Sequence, residues 1–121
     1  NTMQGENKTY LGSCHCGKVT FELVTDLKPA LRCNCSICKR KGVPMITAAE
    51  GSFRITGGKE FLSLYQFNSK VAKHYFCRIC GIYTFHNPRS NPALNRVNSG
   101  CLKAVDPLDL EIDLIDGAAF D

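Results

Sequence analysis

Gly12-Ser13-Cys14-His15-Cys16-Gly17 and Phe76-Cys77-Arg78-Ile79-Cys80-Gly81 are two cysteine turns, each closed by a glycine, and between them lies a third cluster, Cys33-Asn34-Cys35-Ser36-Ile37-Cys38. Seven of the eight cysteines belong to these clusters, and Cys101 stands alone. A C-x-x-C turn lets two thiolates converge on one tetrahedral ion, and side chains at i and i+2 of an extended segment share a face and also converge. Gly17 and Gly81 stand where a tight metal-binding turn needs a residue tolerant of unusual backbone angles. Thiolate ligands with no redox-cofactor pattern point to zinc rather than an iron–sulfur cluster.

Eight cysteines in 121 residues would also suit the disulfide framework of a secreted protein, so compartment has to decide. The segment from Asn1 to Tyr10 is polar and lacks the apolar core of a secretion signal, and no apolar run approaches the ~20 residues that cross a bilayer. A cytoplasmic protein with metal-bound thiolates and no membrane partner is therefore expected. Seven ligands divide into four and three. Four thiolates close a structural site, whereas three leave a position open, and an open position makes a zinc site catalytic. Spacing alone does not fix which clusters combine. The simplest division joins Cys14 and Cys16 to Cys77 and Cys80, so that one ion pins an early hairpin to a central one across residues 17–76. Cys33, Cys35 and Cys38 then form their own site, and two zinc ions per chain are expected, one structural and one catalytic.

Around these clusters the sequence reads as strands. Helical periodicity is weak, while two-residue alternation recurs at Val19, Phe21 and Leu23, and again at Leu110, Ile112 and Leu114. Further strands are expected at Met45–Ala49, Phe53–Thr56, Phe61–Phe67, Val71–Phe76, Ile82–His86 and Arg96–Leu102, with turns at Gly57-Gly58, Asn68-Ser69, Asn87-Pro88 and Asp106-Pro107. Residues 87–95, with two prolines and three asparagines, read as a surface loop bordering a site. A 44% hydrophobic content with four Tyr and seven Phe supplies one modest core. The organisation expected is a polar tail over residues 1–9 and a single zinc-binding domain over 10–121, mainly β and built from short antiparallel sheets.

Net charge is +4, unevenly spread: all fifteen Lys and Arg precede Ala104, and six of the eleven acids fall between Asp106 and Asp121. A basic body suits small anions or nucleic acid, but anionic zinc–thiolate clusters also attract Lys and Arg. Nucleic acid is disfavoured by the acidic tail and by the lack of a basic helix, of Trp and of a stacking aromatic motif. Exposed strand edges leave a homodimer open.

The run Gly12-Ser13-Cys14-His15-Cys16-Gly17-Lys18-Val19-Thr20-Phe21, followed by Cys33-Asn34-Cys35-Ser36-Ile37-Cys38 and Phe76-Cys77-Arg78-Ile79-Cys80-Gly81, resembles the glutathione-dependent formaldehyde-activating enzyme family, also called the CENP-V/GFA family. The resemblance runs from about Tyr10 to Ile115. It implies a zinc-bound β-tent fold, a structural zinc on Cys14, Cys16, Cys77 and Cys80, and a catalytic zinc on Cys33, Cys35 and Cys38. It also makes Arg96-Val97-Asn98-Ser99-Gly100-Cys101-Leu102 the closing core strand.

A zinc with one free position binds a thiol such as glutathione as its thiolate, since the metal lowers the thiol's pKa as it lowers that of water. Attack on an aldehyde then gives an S-hydroxymethyl adduct, and the reverse step cleaves the carbon–sulfur bond, which is carbon–sulfur lyase chemistry. The alternative is a non-catalytic zinc module of the same fold whose triplet is filled by a fourth protein ligand. His15 reads as a turn residue, His74 and His86 as ordinary strand residues with a minor claim to be that partner or a proton carrier, and Cys101 as a small buried apolar group.

Overall fold

The computed structural model describes residues 4–120. Among these residues ten strands form two sheets: β1 (Lys8–Ser13), β2 (Thr20–Thr25) and β5 (Arg54–Gly57) make the smaller, in the order β1-β2-β5. The larger joins β3 (Ala30–Cys33), β4 (Met45–Thr47), β6 (Leu62–Tyr65), β7 (Lys73–Cys77), β8 (Tyr83–Asn87), β9 (Arg96–Asn98) and β10 (Ile112–Ile115), in the order β10-β3-β4-β9-β8-β7-β6. A short α-helical turn, α1 (Cys38–Lys41), lies between β3 and β4. The mainly β architecture expected from the alternation is what the chain adopts.

The core explains the pairing of the sheets. In β2, Phe21 and Leu23 alternate with Thr20 and Glu22 and are 1% exposed, the period-2 pattern of a strand with one covered face. Phe21 meets Phe53 at 5.5 Å between ring centroids, Phe53 meets Phe85 of β8 at 4.5 Å, and Tyr75 of β7 stacks on Phe85 at 4.7 Å. This aromatic row crosses from one sheet to the other within the spacing at which ring pairs attract. Cys14, Cys77 and Cys101 are buried in the same cluster.

The structure adds detail to that architecture and shifts some of the expected elements. The sheets are not wholly antiparallel, because β10 runs parallel to β3, pairing Ile112 with Ala30 and Ile115 with Cys33. The strand expected over Arg96–Leu102 stops at Asn98, whose Oδ1 accepts the Gly100 N–H at 2.8 Å and opens a 3-10 turn over Ser99–Cys101. In the last strand the alternation predicts a buried Leu110, Ile112 and Leu114, yet only Leu110 is buried and Leu114 is 84% exposed. With β3 as its one neighbour, β10 lies at the sheet edge, where one face is left uncovered. The first strand begins at Lys8, inside the segment read as a polar tail, and Gln4 is tied down by donating to Leu27 O at 2.8 Å and accepting the Glu111 N–H at 2.8 Å.

Candidate metal centres

Two hairpins carry the first centre. The loop joining β1 to β2 holds Cys14 and Cys16; β7 ends on Cys77, and the loop from there to β8 holds Cys80. Each loop closes on itself, with Gly17 N donating to Cys14 O at 3.3 Å and Gly81 N to Cys77 O at 2.7 Å. Both glycines are left-handed, at φ 81° and 79°, a conformation that side chains strain to adopt. The four sulfurs lie within 4.8 Å of one another, with Cys14 to Cys16 at 3.6 Å and Cys16 to Cys77 at 3.7 Å. Tetrahedral zinc with bonds of ~2.3 Å spaces its sulfurs by ~3.8 Å, so the donor set fits that ion in number, element and spacing. The Val19 N–H also points to Cys14 Sγ at 3.3 Å, a donor that favours the thiolate. One hairpin belongs to each sheet, so this cluster bridges the two.

The second centre is local. Cys33 ends β3, Cys35 sits in the following turn and Cys38 begins α1, and their sulfurs again lie within 4.8 Å of one another. The turn supplies donors, Cys35 N–H to Cys33 Sγ at 3.5 Å and Cys38 N–H to Cys35 Sγ at 3.4 Å. Burial, and then the neighbouring Cys35, push the Cys38 thiol up to about 12, while the Cys38 N–H and the adjoining thiols hold Cys35 below its ordinary value despite burial. Sulfurs that compete in this way for negative charge are matched by a divalent cation. Among the described residues the group has three members, and no fourth ligand-type side chain joins it. All eight cysteines are free thiols.

The triplet borders a cavity of about 360 Å³. Pro88, Arg89 and Ser90 of the expected surface loop line it, with Phe67, Asn68 and Ser69 of the opposite turn. The β7–β8 pair supplies its back wall. His74 and His86 are cross-strand partners facing the cavity, their rings stacked at 5.1 Å, while the next pair, Tyr75 and Phe85, points to the core. Both histidines are engaged. His74 Nδ1 lies 2.8 Å from Lys41 Nζ, and His86 Nδ1 lies 2.6 Å from the Tyr83 hydroxyl. Burial, followed by the Lys41 charge, lowers the His74 pKa to about 4; burial, then Lys41, His74 and Arg96, depress that of His86 further. Both rings are therefore neutral at pH 7. Burial also brings Lys41 down to about 8, while burial, then the nearby Cys38 and Cys101, keep Tyr83 a phenol. An ammonium donates to His74 Nδ1, which leaves Nε2–H as the donor on that ring, while the Tyr83 hydroxyl, beside His86 Nδ1, also donates to Arg96 O at 3.4 Å.

Several expectations can be placed. His15 is exposed and outside the four-sulfur group, as a turn residue would be. Cys101 is buried beside Tyr83 O at 3.7 Å, the small buried group anticipated. Of the basic residues flanking the triplet, Lys39 and Arg40 are exposed, whereas Lys41 turns inward over the Tyr83 ring at 3.7 Å. Sequence reading missed the cover on the triplet. Asn34 Nδ2 donates to Asp116 Oδ1 at 2.9 Å and its Oδ1 accepts the Ala118 N–H at 2.9 Å, fastening the 3-10 turn Gly117–Phe120 beside the sulfurs. The signal was present only as an amide among the spacers of a thiolate cluster.

The family model described as glutathione-dependent formaldehyde-activating enzyme matches residues 9–114. A Halomonas elongata protein named for glutathione-dependent formaldehyde activation is 32% identical over 78 residues, which cover 57% of this chain and 50% of that protein. The chain thus spans about half the length of this curated relative. A crystal structure of a Rhodobacter sphaeroides protein superposes with a TM-score of 0.83 at 45% identity, covering 87% of this chain and 99% of that one. No helix among the described residues is long and apolar enough to cross a membrane.

Proposed function

Because this chain belongs to the glutathione-dependent formaldehyde-activating enzyme family, we propose that it is a zinc-dependent carbon–sulfur lyase-like protein that binds a thiol such as glutathione at Cys33, Cys35 and Cys38 and forms or cleaves an S-hydroxymethyl adduct with an aldehyde. The observation that carries this reading is an asymmetry: four sulfurs surround one point between the hairpins, whereas three gather at the wall of a cavity. Cys14, Cys16, Cys77 and Cys80 would hold a structural zinc, and the triplet a catalytic one. Zinc at the triplet would supply a low thiol pKa and a fixed position for the substrate sulfur.

The chain's own residues account for the rest. In the addition, a sulfur–carbon bond forms, the carbonyl π pair moves to oxygen, and the proton lost by the thiol ends on that oxygen; cleavage is the reverse. His74 carries its proton on Nε2 while its Nδ1 accepts from Lys41, so it offers a neutral donor for an oxygen that gains charge, with the His86 ring stacked on it at the same wall. Phe67, Met45 and Ile115 keep much of the cavity wall apolar, which strengthens those hydrogen bonds. Cysteines gathered for metal rather than joined in disulfides suit a reducing, cytoplasmic setting. Two copies meeting along the free edges at β6 or β10 would make the dimer that light scattering can detect.

The test is exchange NMR with reduced glutathione and ¹³C-formaldehyde on the zinc-loaded protein. Faster interconversion of free aldehyde and S-hydroxymethyl adduct than in buffer, lost in Cys38→Ser, is expected. An unchanged exchange rate, with the protein folded and carrying two zinc ions, contradicts the enzymatic reading and favours the non-catalytic module.

A further inference from the structure

We propose that Arg96 receives a carboxylate of the thiol substrate, so that this site selects acidic thiols over neutral ones. The inference rests on the reading of the triplet as a thiol site and adds what recognises the remainder of the molecule. Arg96 lies on β9, opposite His86 on one side and Thr47 on the other, and its side chain lines the same cavity as Cys33, Cys35 and Cys38. Its Nε is shut off from solvent with no hydrogen-bond partner among the described residues. The ion pair the described residues do form, Arg54 with Glu22, is elsewhere, on the smaller sheet.

A guanidinium stays charged at any accessible pH and presents a planar fork matched to a carboxylate. Native proteins seldom leave a buried donor unpaired, because its lost hydration is then uncompensated. Among the described residues no Asp or Glu lines the cavity, so none of them supplies a counter-ion at this wall. Arg89 lines it too, and the neighbouring histidines, engaged through Nδ1, add no negative charge. Thus the lining of one cavity combines three sulfurs for a thiol with a guanidinium that has no acid beside it among the described residues. A ligand carrying both an –SH and a –COO⁻ group satisfies both at once. A volume of about 360 Å³ is at the lower end of the range for small-molecule pockets, which admits a tripeptide-sized thiol but little more.

The competing explanation is that Arg96 merely offsets the negative charge of the sulfur cluster. The two differ in what esterification of the ligand does. Calorimetric titration of the zinc-loaded protein with reduced glutathione and with its dimethyl ester compares ligands of the same thiol and nearly the same shape. Expected is binding of the free acid at least about tenfold tighter than the ester, as suits a charge-assisted pair. Arg96→Gln should bring the acid to the level of the ester while leaving ester affinity unchanged, and Arg96→Lys should retain part of the preference. The comparison on the unaltered protein needs no variant to fold. Equal binding of acid and ester to it, or an undiminished preference in Arg96→Gln, overturns the role of Arg96 and leaves the thiol site standing; binding of neither ligand overturns both.

Discussion

Gly117 has no room for a side chain: a Cβ there would collide with Cys33 Sγ and approach Cys35 Cβ at 3.0 Å. The requirement comes from close approach, because the backbone of the last turn packs directly on the triplet. Gly117→Ala should therefore displace Cys33 and weaken zinc at the triplet by about tenfold or more, while the four-sulfur centre keeps its ion, as chelator competition would measure. Equal affinity at both centres in the variant would contradict the packing. A second prediction concerns protons. The folded pKa of His74 is near 4, against 6.5 in the unfolded chain, so between these values the unfolded state binds a proton that the folded state refuses. The stabilising contribution is whole above pH 6.5 and is lost as pH falls towards 4. Unfolding free energies measured over that range should fall less steeply in His74→Gln, by up to one proton; loss of zinc with acid is common to both proteins and cancels in the difference. Parallel slopes would show that His74 titrates normally. These residue-level features are the least legible in the sequence. The cysteines announce themselves by spacing, whereas Lys41, Tyr83 and Arg96 acquire their roles from burial, which no local pattern encodes.

At the scale of elements, the β7–β8 hairpin does two jobs: the end of β7 and the loop after it give Cys77 and Cys80 to one centre, and its strands give His74 and His86 to the cavity beside the other. The parallel pairing of β10 with β3 brings the last turn to the triplet, where Asn34 fastens it. Asn34→Ala should speed amide hydrogen exchange at Gly117–Ala119 by at least tenfold and leave exchange in β2 and β8 unchanged. Unaltered protection would mean that β10 alone holds the turn. Strand patterning was legible where one face is covered: β2 with Phe21 and Leu23 is the clear case, and β4 to β9 were also anticipated, with shifted ends. β1 and β3 were not. In β1 only Gly12 is buried, so Lys8, Thr9, Tyr10 and Leu11 show no alternation, and β3 is four residues long, too short to display a period. Leu114 misled because an edge strand keeps an alternating sequence without burying its apolar side.

For the whole molecule, the four-sulfur centre is a junction of the two sheets, which also meet through the aromatic row from Phe21 to Tyr75 and the Thr25 hydroxyl, which donates to Thr47 O at 3.1 Å. A small core of this kind gains much from one ion, since structural zinc contributes about 10–16 kcal/mol of apparent binding energy that is expressed as folding energy. The triplet, spanning six residues of continuous chain, closes no long loop and leaves the sheets independent of its ion. That contrast was readable from spacing, because residues 17–76 separate the two knuckles; the cavity beside the triplet was not, being assembled from β7, β8, β9 and two loops remote in sequence. The most direct test is zinc content and glutathione binding, with circular dichroism, on Cys38→Ser beside Cys77→Ser. The predicted result is a folded Cys38→Ser protein with one zinc and no thiol binding, and an unfolded or aggregated Cys77→Ser protein. Collapse of both variants alike, or a Cys77→Ser protein that stays folded and binds glutathione, would contradict the division into a closed and an open centre.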